Sequence, residues 1–180
     1  RIDIALGELA ADEARALATE LLGAAPDAGR AQAIARESQG NPFLIDALAR
    51  FGSDELSGAL LDEMIRRRAA ELAEPARRLL TVVAVAGRPI DLGAAFHAAA
   101  LDHEGDAALA ALRAVHFVRT RRSTGWDEVE TYHDRLGAAV IGGLEPEELR
   151  RLHERLALAL LASGRADPER LAEHFREGGH

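Results

Sequence analysis

Two residue types are missing from the sequence, cysteine and lysine. The lack of cysteine excludes disulfides, thiolate metal sites and cysteine nucleophiles, and it suits a protein of the reducing cytoplasm. The lack of lysine means that all 22 basic side chains are arginine. A P-loop lysine, a Schiff-base lysine and the strand lysine of a protein kinase are therefore excluded, and we expect no catalysis by this chain alone.

Long apolar runs and an excess of positive charge are missing as well. No apolar run approaches the length of a membrane span, and the first residues do not resemble a signal peptide. The net charge of −8 disfavours a general nucleic-acid binder, because affinity for phosphates needs an excess of cations. The sequence has 180 residues, of which 48% are hydrophobic. This is enough apolar surface to form the core of one large domain or of two small ones.

The two ends of the sequence resemble segments that continue into a longer protein. Residues 2–6 alternate apolar with polar or small side chains, which is a weak signal for a half-buried strand. One strand cannot form a sheet, and the sequence stops at Gly178–His180, directly after a helical segment. We therefore expect the chain to be a piece of a longer protein.

The stretch Ser38–Leu44 predicts a rigid elbow between two helices. Gly40 can take a positive φ and end the first helix, Asn41 can cap the second, and Pro42 fits its first position without the loss of a useful N–H donor. Such an elbow can also be no more than a turn. Helical periodicity on both sides predicts four helices in this part of the chain, at 11–22, 28–38, 41–51 and 55–72.

Three further helices are predicted after residue 73. Residues 74–86 are so continuously apolar that we expect a helix buried on most sides. Asp91 is expected to cap a helix over about 91–101, and a third helix spans about 106–115. Two alternating segments, 117–122 and 128–132, then flank a glycine-containing loop as a β-hairpin, and three helices followed by a hairpin is the order of a winged helix.

The triplet Tyr132-His133-Asp134 ends the hairpin. We expect His133 to begin a helix to about residue 141, and Asp134 to cap that helix or to pair with an arginine. Two more helices, 147–161 and one opened by Asp167-Pro168, form a helical hairpin that resembles the first unit of an α-solenoid. The predicted fold is therefore mainly α, with a four-helix unit, a winged helix with one β-hairpin, and a C-terminal helical hairpin.

This order of elements, with its Gly-Asn-Pro elbow and its Tyr-His-Asp triplet, resembles the C-terminal part of a signal-transduction (STAND) ATPase module of the AAA type. Such modules occur in bacterial multidomain serine/threonine kinases and in maltose-regulator-like, LuxR-type transcription activators. The resemblance implies four parts: residues 1–9 as the last strand of a nucleotide-binding core outside this chain, 10–72 as a helical lid, 73–143 as a winged helix, and 144–180 as the start of a TPR-like solenoid.

The resemblance also implies a nucleotide site. In that family the elbow lies against the base and the winged-helix histidine faces the β-phosphate of ADP, which implies Gly40, Asn41, Pro42 and His133 here. The Walker A and Walker B motifs are absent, so ADP or ATP with Mg²⁺ is expected only in the larger protein, and the chain itself has no cofactor. The implied function is to sense the ADP/ATP state and transmit it by domain rotation. The implied partners are the missing core, the downstream solenoid and an inducer or protein.

Other functions stay open on the sequence. A DNA-binding winged-helix regulator would place residues 106–115 in the major groove and Arg119, Arg121 and Arg122 on phosphates. That helix, however, is mostly apolar and has almost no base-reading side chains. A helical protein–protein adaptor is the other alternative. The seven histidines show no metal-ligand spacing, so we expect them on helix surfaces and predict neither a metal site nor a catalytic residue.

Overall fold

The chain is mainly helical, with one small antiparallel sheet. A computed structural model describes residues 9–23, 28–51, 58–122, 125–164 and 167–180, and in these ranges it has ten helices and three strands. This confirms the predicted mainly α fold with a small β-hairpin. The expected strand at 2–6 lies outside the described residues. The structure divides into two compact units, Arg1–Leu61 and Asp62–His180.

Three helices pack against one another in the first unit. They are α1 (Ala11–Leu22), α2 (Ala28–Ser38) and α3 (Pro42–Phe51), with the bounds that the periodicity predicts to within one residue. Apolar side chains three and four residues apart fall on one face of each helix, so the three faces can be buried together. The core they form includes Ala14, Ala18, Ile34, Leu44, Ile45 and Leu48.

The helix α4 (Gly58–Ala70) crosses from the first unit into the second. Its predicted start at residue 55 lies outside the described residues. Within the second unit, Ile65 is fully buried, and Asp62 forms an ion pair with Arg135 at 3.3 Å. The units divide at Leu61/Asp62, inside α4, and the domain boundaries expected at 72/73 and 143/144 stay predictions.

The helix α5 (Glu74–Ala86) is the centre of the second unit, as its continuous apolar run predicts. Its residues Leu79, Leu80, Val82 and Val83 are almost fully buried. The chain continues through β1 (Ile90–Asp91), α6 (Leu92–Ala98) and α7 (Gly105–Ala114). Both helices pack on α5, and the carboxylate of Asp91 accepts a hydrogen bond from Ala94 N at 2.9 Å, which confirms Asp91 as the cap of α6.

The helix α6 ends three residues earlier than predicted. Ala100 has a φ of +52°, and the N–H groups of Ala100 and Leu101 donate to the carbonyls of His97 and Phe96, both at 3.0 Å. These two bonds close the last turn of the helix as a Schellman motif does. Glycine is the usual residue at such a position, so the sequence does not reveal a helix end built on alanine.

The strands β2 (Val118–Arg122) and β3 (Asp127–Thr131) form the predicted hairpin. The sheet order is β1-β3-β2, and all neighbours are antiparallel. Val118 lies opposite Thr131 across the hairpin, and Ile90 lies opposite Val129 on the other side of β3. The strand β1 was not predicted from the sequence, because a strand of two residues shows no alternation.

The last three helices are α8 (Asp134–Ile141), α9 (Pro146–Ser163) and α10 (Pro168–Glu177). The helices α9 and α10 form the predicted helical hairpin, and α9 also packs on α5 and α6. The carboxylate of Asp167 accepts from Glu169 N at 2.9 Å, so the predicted cap of α10 is confirmed. No helix in the described part of the chain is both long and apolar enough to cross a bilayer.

Candidate functional site

The elbow between α2 and α3 has the geometry that its residues predict. Gly40 has a φ of +78°, a conformation that L side chains rarely adopt. The N–H of Asn41 donates to the Ser38 carbonyl at 2.9 Å. The side-chain oxygen of Asn41 in turn accepts from Leu44 N at 3.3 Å. Asn41 therefore caps α3, as predicted, and the chain leaves α2 through two residues with positive φ, Gln39 (+48°) and the predicted Gly40.

The elbow is mostly buried in the first unit and is hydrogen-bonded to it. Ser38 and Asn41 are both 0% exposed, and Gly40 is buried as well. The carbonyl of Gly40 accepts from Leu9 N at 2.9 Å, which ties the elbow to the residues before α1. Of the three predicted elbow residues, only Pro42 keeps part of its surface exposed, so its ring is the part that a ligand can contact.

His133 lies at the start of α8, and its imidazole caps the helix. Its backbone is extended, with φ −148° and ψ 140°. The Nδ1 atom accepts from Arg135 N at 3.0 Å. A neutral imidazole that accepts at Nδ1 carries its proton on Nε2, so the remaining ring nitrogen is a hydrogen-bond donor. The alternative that Asp134 caps this helix is wrong, because Asp134 is the first helical residue and is exposed.

The segment before His133 is fixed by packing of Tyr132. Tyr132 is buried, and its N–H donates to the Phe117 carbonyl at 2.9 Å. The imidazole of His116 lies edge-on to the Tyr132 ring, with 5.8 Å between centroids. The guanidinium of Arg119 lies 5.9 Å from the same ring centre. These contacts determine the direction in which the chain leaves the sheet and presents the histidine.

The predicted nucleotide-binding residues belong to different compact units. Gly40, Asn41 and Pro42 lie in the first, and His133 lies in the second. Each part by itself is a helix N-terminus capped by a side chain, and such termini favour anionic groups because their N–H groups and dipole point outward. That one nucleotide contacts both parts stays a prediction.

The arginines of the wing are engaged by acids of the neighbouring strand. Arg119 Nε donates to Glu130 at 3.0 Å, and Arg121 Nε donates to Glu128 at 3.0 Å. Arg122, the last residue of β2, lies opposite Asp127 of β3. The hairpin therefore carries acids and bases in equal number across its two strands, and this weakens its attraction for phosphate.

The helix α7 also differs from a helix that reads DNA. Leu109 and Leu112 are buried where α7 packs on α5 and β2. Its exposed residues are Asp106, Arg113 and four alanines. A face of alanines offers methyl groups and few hydrogen-bonding groups to base edges.

One pair of histidines was not foreseen from the sequence. Nδ1 of His153 on α9 lies 2.8 Å from Nδ1 of His174 on α10, and His174 is only 3% exposed. The expectation that all histidines lie on helix surfaces is therefore wrong for His174. A signal was present, since His174 shares a helix face with Leu171 and Phe175 at helical spacing.

The histidine pair is too buried to titrate normally. Burial lowers the pKa of His174 to about 4, with smaller contributions from His153 and Arg170. Burial also lowers the pKa of His153, while Glu177 and Glu173 act in the opposite direction. Across the described ranges, no three His, Asp or Glu side chains come together as a metal site would require.

Comparison with known proteins adds no family. No protein-family model matches the chain, and no curated protein matches it either.

Proposed function

We propose that this chain is a regulatory part of a STAND-type signal-transduction ATPase. Residues 10–72 would act as the lid over a nucleotide, 73–143 as the winged helix that contacts its phosphates, and 144–180 as the first unit of a sensor solenoid. The chain would report the ADP or ATP state of a nucleotide-binding core without hydrolysing ATP itself. The proposal includes a cytoplasmic location and places ADP or ATP with Mg²⁺ in the larger protein.

The observation that carries this proposal is the pair of capped helix starts. The Gly40-Asn41-Pro42 elbow leaves a proline ring part-exposed at the N-terminus of α3. His133 places a second ring nitrogen at the N-terminus of α8 while its first caps that helix. A flat apolar ring suits a purine face, and an N–H donor beside a helix N-terminus suits a phosphate.

The residues fit ADP in kind, with one condition on His133. Its Nε2 atom is buried in this structure, so a phosphate can reach that nitrogen only if the surrounding groups move. Such movement is what the proposed function requires, since a nucleotide shifts a conformational equilibrium only by binding its two states differently. ADP would hold the lid and the winged helix in one orientation, and its exchange would release them.

Calorimetry of ADP binding to the longer protein tests the proposal. We expect His133→Ala to weaken ADP binding by about tenfold or more, because it removes a donor to a charged group. Pro42→Ala should weaken ADP binding several-fold. The 180-residue chain alone should bind ADP no more tightly than about 1 mM.

Two matched substitutions control this experiment. His103 is exposed, and Pro146 is an exposed proline in the first turn of α9, so His103→Ala and Pro146→Ala should leave ADP binding unchanged. If His103→Ala and Pro146→Ala lost as much ADP affinity as His133→Ala and Pro42→Ala, the proposed site would be contradicted. Tight ADP binding by the isolated chain would contradict it too.

A second candidate function is a helical protein adaptor. It is favoured by Leu158 and Leu161 of α9, which are 52% and 56% exposed and lie one turn apart. We expect a Leu158→Glu/Leu161→Glu double variant of the longer protein to keep its ADP affinity in either case. If that variant loses signalling output while His133→Ala keeps it, the adaptor function replaces the nucleotide-sensing function.

A further inference from the structure

Two polar contacts of the helix α10, which also packs on α9, lie one helical turn apart. His174 meets His153 of α9, with 2.8 Å between the two Nδ1 atoms. Arg170 donates to three carbonyls at the end of α5: to Pro89 at 2.6 Å, to Arg88 at 3.2 Å and to Ala86 at 3.3 Å. The first contact closes the helical hairpin, and the second joins it to the winged helix.

The histidine contact depends on the number of protons it holds. Two nitrogens 2.8 Å apart can share one proton, with one ring as donor and the other as acceptor. If both rings are protonated, two N–H groups face each other and the hydrogen bond is lost. The other nitrogen of His174, Nε2, is buried and has no partner among the described residues, so a second N–H on this ring has no acceptor to compensate it.

Other ionisable groups act on this contact from every side. On α10, Glu173 and Glu177 favour a proton on His153, whereas Arg170 disfavours a proton on His174. On α9, the carboxylate of Glu154 lies 3.1 Å from Nε2 of His180.

The winged helix contributes further charges. Arg88 after α5 and Glu128 on β3 act on Arg170 with opposite signs. His97 on α6 lies beside Arg155 and Leu158 of α9 in a cavity of about 330 Å³, away from the histidine pair. Of these groups, Arg170 lies one turn from His174, so protonation of His174 puts two cations on the same side of α10.

We propose that the His153–His174 contact is a proton-operated lock that keeps α10 attached to α9 and to the end of α5. At neutral pH the pair shares one proton and α10 is docked. In acidic solution both rings are protonated, they repel each other, and α10 leaves α9 together with Arg170. This inference does not depend on the nucleotide site.

Hydrogen exchange of the 180-residue chain tests the lock. Protection of the α10 amides would be measured at pH 7.5 and pH 4.5 in EDTA, with correction for the intrinsic exchange rates. We expect protection of residues 168–177 to fall by about tenfold or more at the lower pH, and protection of α5 to fall much less.

Three variants decide the cause of the change. His174→Phe keeps a buried ring without a titrating nitrogen, so α10 should stay protected at pH 4.5. His153→Asn replaces the less buried partner with a group that can accept from a protonated His174. Because burial still lowers the pKa of His174 in this variant, it should reduce the acid-induced loss of protection without abolishing it. His103→Gln removes an exposed histidine and should behave like the original chain.

The outcomes are distinct. If acid reduced the protection of α10 in His153→Asn as much as in the original chain, the proposed lock would be contradicted. This holds even if His174→Phe failed to fold. Equal loss of protection in all helices of the second unit would show general acid unfolding and would also overturn it. The same holds if the pH effect appears only when EDTA is omitted, because a bound metal and not a shared proton would then hold the pair.

Discussion

The two units of this protein bury different kinds of polar side chain. Among the described residues, the first unit buries Ser38 and Asn41, both at the elbow and both neutral at every physiological pH. The second buries His174, which can be protonated. A buried neutral group that is hydrogen-bonded stabilises a turn regardless of pH, whereas a buried histidine makes stability depend on pH. We therefore expect the elbow to be equally stable at every physiological pH, and the helical hairpin of α9 and α10 to lose stability in acid.

Acid should change the stability of the second unit more than any substitution considered below. The pKa of His174 in the folded chain is about 4, below the ordinary value of about 6.5. The unfolded chain therefore binds the proton first, so the contribution of His174 is fully present above pH 6.5 and is lost as the pH falls towards 4. We expect a loss of about 2 to 3 kcal/mol between pH 7.5 and pH 4.5.

Urea unfolding followed by fluorescence of Trp126, the only tryptophan, would measure this loss in the second unit. Because carboxylates also titrate in this range, the original chain would be compared with His174→Phe at each pH. If the difference in unfolding free energy between the original chain and His174→Phe does not change with pH, His174 keeps an ordinary pKa. The contrast between the two units would then be lost.

The next effect concerns the buried cap of the first unit. Asn41→Ala removes the acceptor of Leu44 N, and both of these residues are fully buried. We expect the free energy of unfolding to fall by about 1 to 2 kcal/mol. Asp167→Ala is the matched control, because Asp167 caps α10 in an exposed position and water can replace it. Urea unfolding followed by circular dichroism should give a smaller loss for the control, and the Asn41 loss should be the same at pH 7.5 and pH 5.

The smallest effect separates the two roles of His133. His133→Asn supplies another side-chain acceptor for Arg135 N, so unfolding free energy should change by less than about 0.5 kcal/mol, whereas His133→Ala should lose about 1 kcal/mol. Both variants remove the Nε2–H donor, so both should weaken ADP binding by the longer protein. If His133→Asn kept full ADP affinity, the histidine would serve only as a cap.

Much of the fold could be predicted because local residues act on their own backbone. The elbow follows from Gly40, Asn41 and Pro42, since a positive φ, a side-chain cap and a fixed φ are properties of single residues. The hairpin and the buried α5 follow from periodicity. The early end of α6 at Ala98 and the strand β1 could not be predicted, because neither has a characteristic residue or a repeating pattern.

The candidate site was predictable in part. The sequence placed His133 at a helix start, but that its imidazole caps the helix depends on the rotamer that packing selects. The ion pairs of Arg119 and Arg121 require the strand register, which aligns them with Glu130 and Glu128. Register is a property of two strands together, so a single strand does not reveal whether its arginines are available to a partner.

Most helical segments, the position of the elbow, and the chemistries excluded by the absence of lysine and cysteine could be read from the sequence. These properties follow from intrinsic residue geometry and composition. In contrast, the contact of His174 with His153 across 21 positions of sequence, and that of Arg170 with Pro89 across 81 positions, are visible only in the folded chain. Such contacts arise when helices pack, because packing joins side chains whose distance along the chain says nothing about their distance in space.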